Sequence, residues 1–213
     1  MAYEPTKITV EVEGRRLRLS SLDSVDIDGA LLELIAGEPR LMPHFHLSLQ
    51  AGDDLILKRM KRRHSRAEAV ATVAKLKAAR SDVTIGADLI AGFPTESDEA
   101  AANTRALIAD CGIVAAHVFP FSPRPGTPAA RMPQVPHDAI KQRAAQLREV
   151  AAAQRSAWLG DLVGTRTTVL IENIEKGHSD GFAPVRICGA ARGALGPALI
   201  TAVDGDILIG TFE

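Results

Sequence analysis
The sequence predicts an α/β protein, a partial parallel (β/α) barrel followed by a small antiparallel β-barrel. Three observations carry this. Over the first two thirds, strand-like hydrophobic runs alternate with helix signals, the rhythm that joins parallel strands through helices. A proline-rich stretch and one long amphipathic helix then break the alternation. The last ~50 residues turn into short β-like runs separated by glycine, aspartate and proline turns, near the size at which a single core is marginally stable.

The elements follow in order. A strand is expected from Arg16 to Ser20, a helix from Asp28 to Ala36, a strand from His44 to Gln50 and two helical stretches between Asp54 and Arg80. A strand from Val83 to Ile90, a helix from Ser97 to Cys111 and a strand from Val114 to Phe121 complete the alternation. Ser65 and Glu68 read as a capping box, and Thr95 or Ser97 can cap the next helix. Gly37 and Gly112 stand where a left-handed C′ residue is wanted. Pro120 to Pro136 reads as an extended loop, because proline denies both helix and ladder hydrogen bonds. From Pro136 to about Leu159, Ile140, Ala144, Leu147, Ala151 and Trp158 form one apolar stripe opposite Lys141, Arg143, Arg148 and Arg155, and Gly160 and Gly164 end it. Strands at Arg166–Ile171, Phe182–Cys188, Ala198–Val203 and Ile207–Phe212 would build the closing barrel. Residues 1–135 are thus the partial barrel, 136–161 a connecting helix and 162–213 the small barrel.

Composition narrows the function classes. With 46% hydrophobic and 24% charged residues the chain is neither disordered nor fibrous, and 4% aromatics argues against an all-β sandwich. A net charge of −1 removes any whole-chain argument for nucleic-acid binding, leaving only local patches. Two cysteines, Cys111 and Cys188, supply neither a disulfide framework nor, alone, a zinc or iron–sulfur site, and a reducing compartment is the simpler reading. No apolar run approaches the ~20 residues that span a bilayer and the start has no h-region, so a cytoplasmic location is expected.

Strand parity is the most informative feature. Phe45, Leu47 and Leu49 point one way, and His44, His46, Ser48 and Gln50 the other; Arg16, Arg18 and Ser20, and Thr84, Gly86 and Asp88, likewise share faces. Strands of parallel sheets usually read as continuous apolar runs, so this polar face either lines a ligand-filled interior or meets water. Asp88 needs a partner, and a pair with Arg16 or Arg18 competes with ligand contact. Gly92, in the turn Ala91-Gly-Phe-Pro-Thr-Glu96, would let a ligand approach the backbone at the carboxyl end of a parallel strand. The cationic run Leu57 to Arg66 suits phosphate neutralisation or is a solvated face. The proline loop presents Phe121 and Ser122 to a ligand or is a rigid connector. His44 and His46 share a face without a third ligand at suggestive spacing, so no metal site is expected.

Taken in order, Leu17-Arg-Leu-Ser-Ser-Leu-Asp23, His44-Phe-His-Leu-Ser-Leu-Gln-Ala-Gly-Asp-Asp54, Leu57-Lys-Arg-Met-Lys-Arg62, Asp88-Leu-Ile-Ala-Gly-Phe-Pro-Thr-Glu96 and His117-Val-Phe-Pro-Phe-Ser-Pro-Arg-Pro-Gly-Thr127 resemble the radical S-adenosylmethionine methylthiotransferases. The likeness runs from about Arg15 to Glu213 and is closest to the branch that methylthiolates N6-threonylcarbamoyladenosine at position 37 of tRNA. It implies a radical S-adenosylmethionine barrel followed by a TRAM RNA-binding module. The implied cofactors are S-adenosylmethionine, with Asp88, Gly92 and Glu96 beside it and Ser48, Gln50 and Ser122 joining them, and [4Fe-4S] clusters. The implied partner is tRNA, met by Lys58, Arg59, Lys61, Arg62 and Arg63 and by Arg166, Lys176, Arg186 and Arg192. The Cys-x3-Cys-x2-Cys motif of the family is absent, and Cys111 and Cys188 match none of its cluster ligands. The chain therefore looks like the C-terminal half of such an enzyme, without catalytic or metal residues of its own and inactive alone; the alternative is a stand-alone RNA-binding protein. An exposed strand edge would invite self-association, pairing with the missing half, or local disorder near Met1 to Ser21. From Asp161 onward four lysines and arginines stand against seven aspartates and glutamates, a net charge of −3 that is poor for phosphate binding.

Overall fold
The computed structural model describes residues 16–213, and the segment before Arg16 lies outside the described residues. Four parallel strands form one sheet in sequence order: β1 (Leu17–Leu22), β2 (Leu41–Gln50), β3 (Thr84–Ala91) and β4 (Ile113–Pro120). Between and after them run α1 (Gly29–Gly37), α2 (Asp54–Arg59), α3 (Arg66–Ala79), α4 (Asp98–Cys111) and α5 (His137–Asp161). The part of the Met1 to Ser21 segment that is described, from Leu17 on, is strand rather than disordered.

Period-two alternation decides which face the helices cover. Phe45, Leu47 and Leu49 of β2 and Ile85, Ala87 and Leu89 of β3 are fully buried. They pack in one core with Ile35 of α1, Val73 and Leu76 of α3, Leu107 and Ile108 of α4, and Ala144, Leu147 and Ala151 of α5. Each buried side chain of that size stabilises by about 1.5–3 kcal/mol. Local signals place the helix ends. Ser65 and Glu68 form the expected capping box, Ser97 rather than Thr95 caps α4, and Gly112 closes α4 with φ +59°. Gly37 departs from expectation: it ends α1 without a positive φ, and Glu38 follows in extended backbone. The proline stretch is not wholly extended, because Ala129–Arg131 form a short 3-10 turn.

The last quarter is a closed five-stranded barrel in the order β5 (Arg166–Asn173), β6 (Lys176–Ser179), β7 (Pro184–Ile187), β9 (Ile207–Phe212), β8 (Leu195–Asp204). It is mixed, not purely antiparallel, since β7 and β9 pair in parallel. The α5 helix serves both modules: Leu159 is buried in the barrel core and Trp158 packs against it.

The barrel covers the amino-terminal end of the sheet's polar face. Arg18 donates to the carbonyls of Ser179 (2.8 Å) and Asp180 (3.0 Å), and its guanidinium lies 4.7 Å from the centre of the Phe182 ring. Arg16 pairs with the Asp180 carboxylate. Thr84 donates its hydroxyl to the Gly181 carbonyl (2.9 Å), so the 2.9 Å contact between Thr84 Oγ1 and His44 Nδ1 requires the proton on Nδ1. Arg16 and Arg18, one of the two alternatives for partnering Asp88, thus bond to the barrel instead. His44 is buried under Phe182, with ring centres 5.0 Å apart. Burial first, then the charges of Arg18, His46, Arg155 and His117, pushes its pKa down from 6.5 to about 4. Between those values the unfolded chain binds more protons, so this stability is complete above pH 6.5 and is lost as pH falls toward 4. Urea unfolding across that window should show a loss of roughly 3 kcal/mol that is largely absent in His44→Gln; an identical pH profile in both proteins would contradict the assignment.

Candidate functional site
At the carboxyl ends of β2, β3 and β4, where α/β sheets place ligands, a cavity of about 470 Å³ opens. Gln50, Asp88, Ser122, Arg124 and Thr127 line it together with the rings of Phe119 and Phe121, so polar groups and aromatic surface share one cavity. Gln50 ends β2 with φ +66° and also lines a neighbouring cavity of about 550 Å³ that extends toward Arg59, Lys61 and Arg62. Both volumes lie within the roughly 300–1,000 Å³ usual for small-molecule sites.

The six residues assigned to the cofactor divide here. Gln50, Asp88 and Ser122 meet at the cavity. Ser48 lies half-buried on the polar face of β2, and its carbonyl accepts from Arg62 (2.9 Å). Gly92 and Glu96 work on the opposite side of the turn. The buried Glu96 carboxylate accepts the Gly92 amide (3.0 Å) and pairs with Arg143 of α5 (3.0 Å). Burial pushes the Glu96 carboxyl up despite these two partners. A Cβ on Gly92 would lie 2.5 Å from Cγ1 of Ile140, so this glycine lets α5 approach the backbone.

Asp88 finds partners that the sequence did not suggest. His46 Nε2 lies 2.9 Å from Asp88 Oδ1 across β2 and β3, and His117 Nδ1 lies 3.2 Å from the same oxygen across β3 and β4. The register makes this possible, since His46 faces Gly86 and Asp88 faces His117. His44, the other histidine on this face, is not part of that cluster and contacts Thr84 instead.

The cationic run is largely spent within the fold. Arg62 binds Asp23 (2.8 Å), Arg63 binds Asp26 (3.0 Å), Arg59 contacts the Thr95 hydroxyl, and Arg66 pairs with Asp110. Asp23, half-buried beside Arg62 and His64, was legible only as a member of a motif. Lys58 and Lys61 are exposed. In the barrel Arg166 pairs with Glu213 (2.7 Å) and Arg186 with Asp204 (3.4 Å). Lys176 stands opposite Arg186 on adjacent strands, and Arg192 is exposed in the turn before β8.

The residues present do not fit an iron–sulfur cluster. Cys111 is buried at the end of α4, where burial raises its thiol pKa to about 11, and Cys188 is exposed on the barrel. A [4Fe–4S] cluster needs several thiolates converging on one site.

A radical SAM superfamily model matches residues 3–108, beginning ahead of Arg15. A threonylcarbamoyladenosine tRNA methylthiotransferase of Rickettsia prowazekii is 51% identical over 175 residues, covering 82% of this chain and 42% of that protein. One from Thermotoga maritima is 36% identical over 84% of this chain and 42% of its own length. A tRNA-2-methylthio-N(6)-dimethylallyladenosine synthase of Maricaulis maris is 35% identical over 92% of this chain and 45% of its own. The chain therefore spans less than half the length of these relatives.

The Gly92 geometry makes a direct prediction. Gly92→Ala meets both a positive φ of +74° and Ile140, and should destabilise by about 2 kcal/mol in urea unfolding, of which Ile140→Ala in the same chain restores only the steric part. No change in midpoint for Gly92→Ala would refute this packing role.

Proposed function
Since this chain belongs to the radical S-adenosylmethionine methylthiotransferase family, we propose that it works as the ligand-facing and RNA-facing part of an enzyme that methylthiolates C2 of N6-threonylcarbamoyladenosine at position 37 of tRNA. One observation carries the reading: the 51% identity to the Rickettsia enzyme runs through the strands whose ends bring Gln50, Asp88 and Ser122 to one cavity. In this reading residues 1–135 are a partial radical S-adenosylmethionine barrel, 136–161 a connecting helix and 162–213 a TRAM-like module.

The roles follow from chemistry. Gln50 and Ser122 offer donors and acceptors to the adenosyl and amino-acid ends of S-adenosylmethionine, and Asp88 offers a carboxylate to hydroxyls or an ammonium. Phe119 and Phe121 offer apolar ring surface to it. Lys58, Lys61, Lys176 and Arg192 present exposed charge to tRNA phosphate, whereas Arg59, Arg62 and Arg63 chiefly brace the fold. Because no cluster ligands accompany this site, catalysis falls to cysteines outside these 213 residues, and the isolated chain is inactive. No described helix is long and apolar enough to cross a membrane, in keeping with a cytoplasmic tRNA substrate. Two of the four barrel cations are paired with carboxylates, which disfavours a stand-alone RNA-binding role.

The test supplies the cysteine-bearing segment of the Rickettsia relative in trans and analyses tRNA nucleosides by mass spectrometry. The 2-methylthio product should appear only with both pieces and disappear with Gln50→Ala in this chain. Product from the chain alone would overturn the claim of missing ligands. With both pieces bound to each other, as gel filtration reports, absence of product would overturn the proposed activity.

A further inference from the structure
We propose that His46, Asp88 and His117 form a binding site for one divalent transition-metal ion of the zinc type, separate from any iron–sulfur cluster. The ligand atoms, His46 Nε2, Asp88 Oδ1 and His117 Nδ1, all lie within 4.8 Å of one another. Atoms bound tetrahedrally at about 2.0–2.1 Å from zinc lie roughly 3.3 Å apart, close to the 2.9 and 3.2 Å by which Asp88 Oδ1 is separated from the two ring nitrogens. Three adjacent strands of one hydrogen-bonded sheet carry the ligands, so their spacing is set by register and not by loops.

The surroundings hold the rings in place. A Cβ at position 86 would lie 2.5 Å from His46 Nδ1 and 3.1 Å from His44 Nε2, so only glycine leaves room for the His46 imidazole between its neighbours. That placement turns Nδ1 toward Gly86 and leaves Nε2 for the ion. His117 packs tilted beside His46, with ring centres 4.6 Å apart, and meets the edge of Phe119 at 6.4 Å. His46 is 12% exposed and Asp88 24%, whereas His117 is 63% exposed, so the ion would be held from the protein side and open to water on the other. Two imidazoles and one carboxylate with an open position is a donor set for Zn²⁺, Co²⁺ or Fe²⁺ rather than for Mg²⁺ or Ca²⁺, which prefer all-oxygen ligation. Without an ion both ring nitrogens must carry protons to satisfy one oxygen; the ion replaces both protons.

Chelator-treated full chain is titrated with Zn²⁺ alone against a competing chromophoric chelator, and with Co²⁺ followed by its visible absorption. One equivalent should bind, with a cobalt spectrum of low coordination number. His117→Ala, which alters an exposed side chain and should leave the circular dichroism spectrum unchanged, should weaken binding at least about tenfold, as should Asp88→Asn. His137→Ala should leave it unchanged. Absence of stoichiometric binding, or binding unaffected by His117→Ala and Asp88→Asn, overturns the proposal. S-adenosylmethionine is absent throughout, so the outcome is independent of the cofactor reading.

Discussion
Everything in this chain depends on how a parallel sheet with helices on only one face satisfies the other. The alternation in β2 and β3 sends Phe45, Leu47, Leu49, Ile85, Ala87 and Leu89 into a core shared with α1, α3, α4 and α5, and thereby commits His44, His46, Thr84 and Asp88 to the opposite side. Polar groups there are costly unless bonded. At the amino end the barrel module satisfies them through Arg16, Arg18, Thr84 and His44. At the carboxyl end Asp88 draws in two histidines, and beyond them the cavity opens.

The division explains why α5 is so long. Its middle seals the sheet through Ala144, Leu147 and Ala151, and its last turn supplies Leu159 to the barrel, so that one rigid rod fixes both modules. Glu96, Arg143 and the Gly92 turn lock the start of that rod to the end of β3. The loop carrying Phe121 and Ser122 leaves β4 from a point bonded to Ala91, beside that same anchorage.

Much of this was legible in the sequence, for physical reasons that particular residues show. Period-two alternation announced the two faces of β2, and Ser65 with Glu68 announced the start of α3, because both signals are local. The β6 strand escaped because its four residues, Lys-Gly-His-Ser, lack β-branched or aromatic character; its Gly177 is needed where a side chain would strike the Leu170 carbonyl. The parallel pairing of β7 with β9 was equally hidden, since closure of a barrel is a long-range outcome. At the site, parity located Asp88 but not its partners, because His117 reaches it only through β3–β4 register. The bonds of Gly92 and Glu96 to each other and to α5 were equally out of reach, because Arg143 lies 47 residues from Glu96 along the chain.

The central claim is that the open, carboxyl end of the polar face is the cofactor-binding surface. Titration calorimetry of the full chain with S-adenosylhomocysteine, a stable product-like form of the cofactor, tests it most directly. A single saturable site is expected, weakened ~5-fold or more by Gln50→Ala and by Ser122→Ala and unmoved by Lys176→Ala on the barrel. Absence of saturable binding, or binding indifferent to both cavity substitutions, would contradict it.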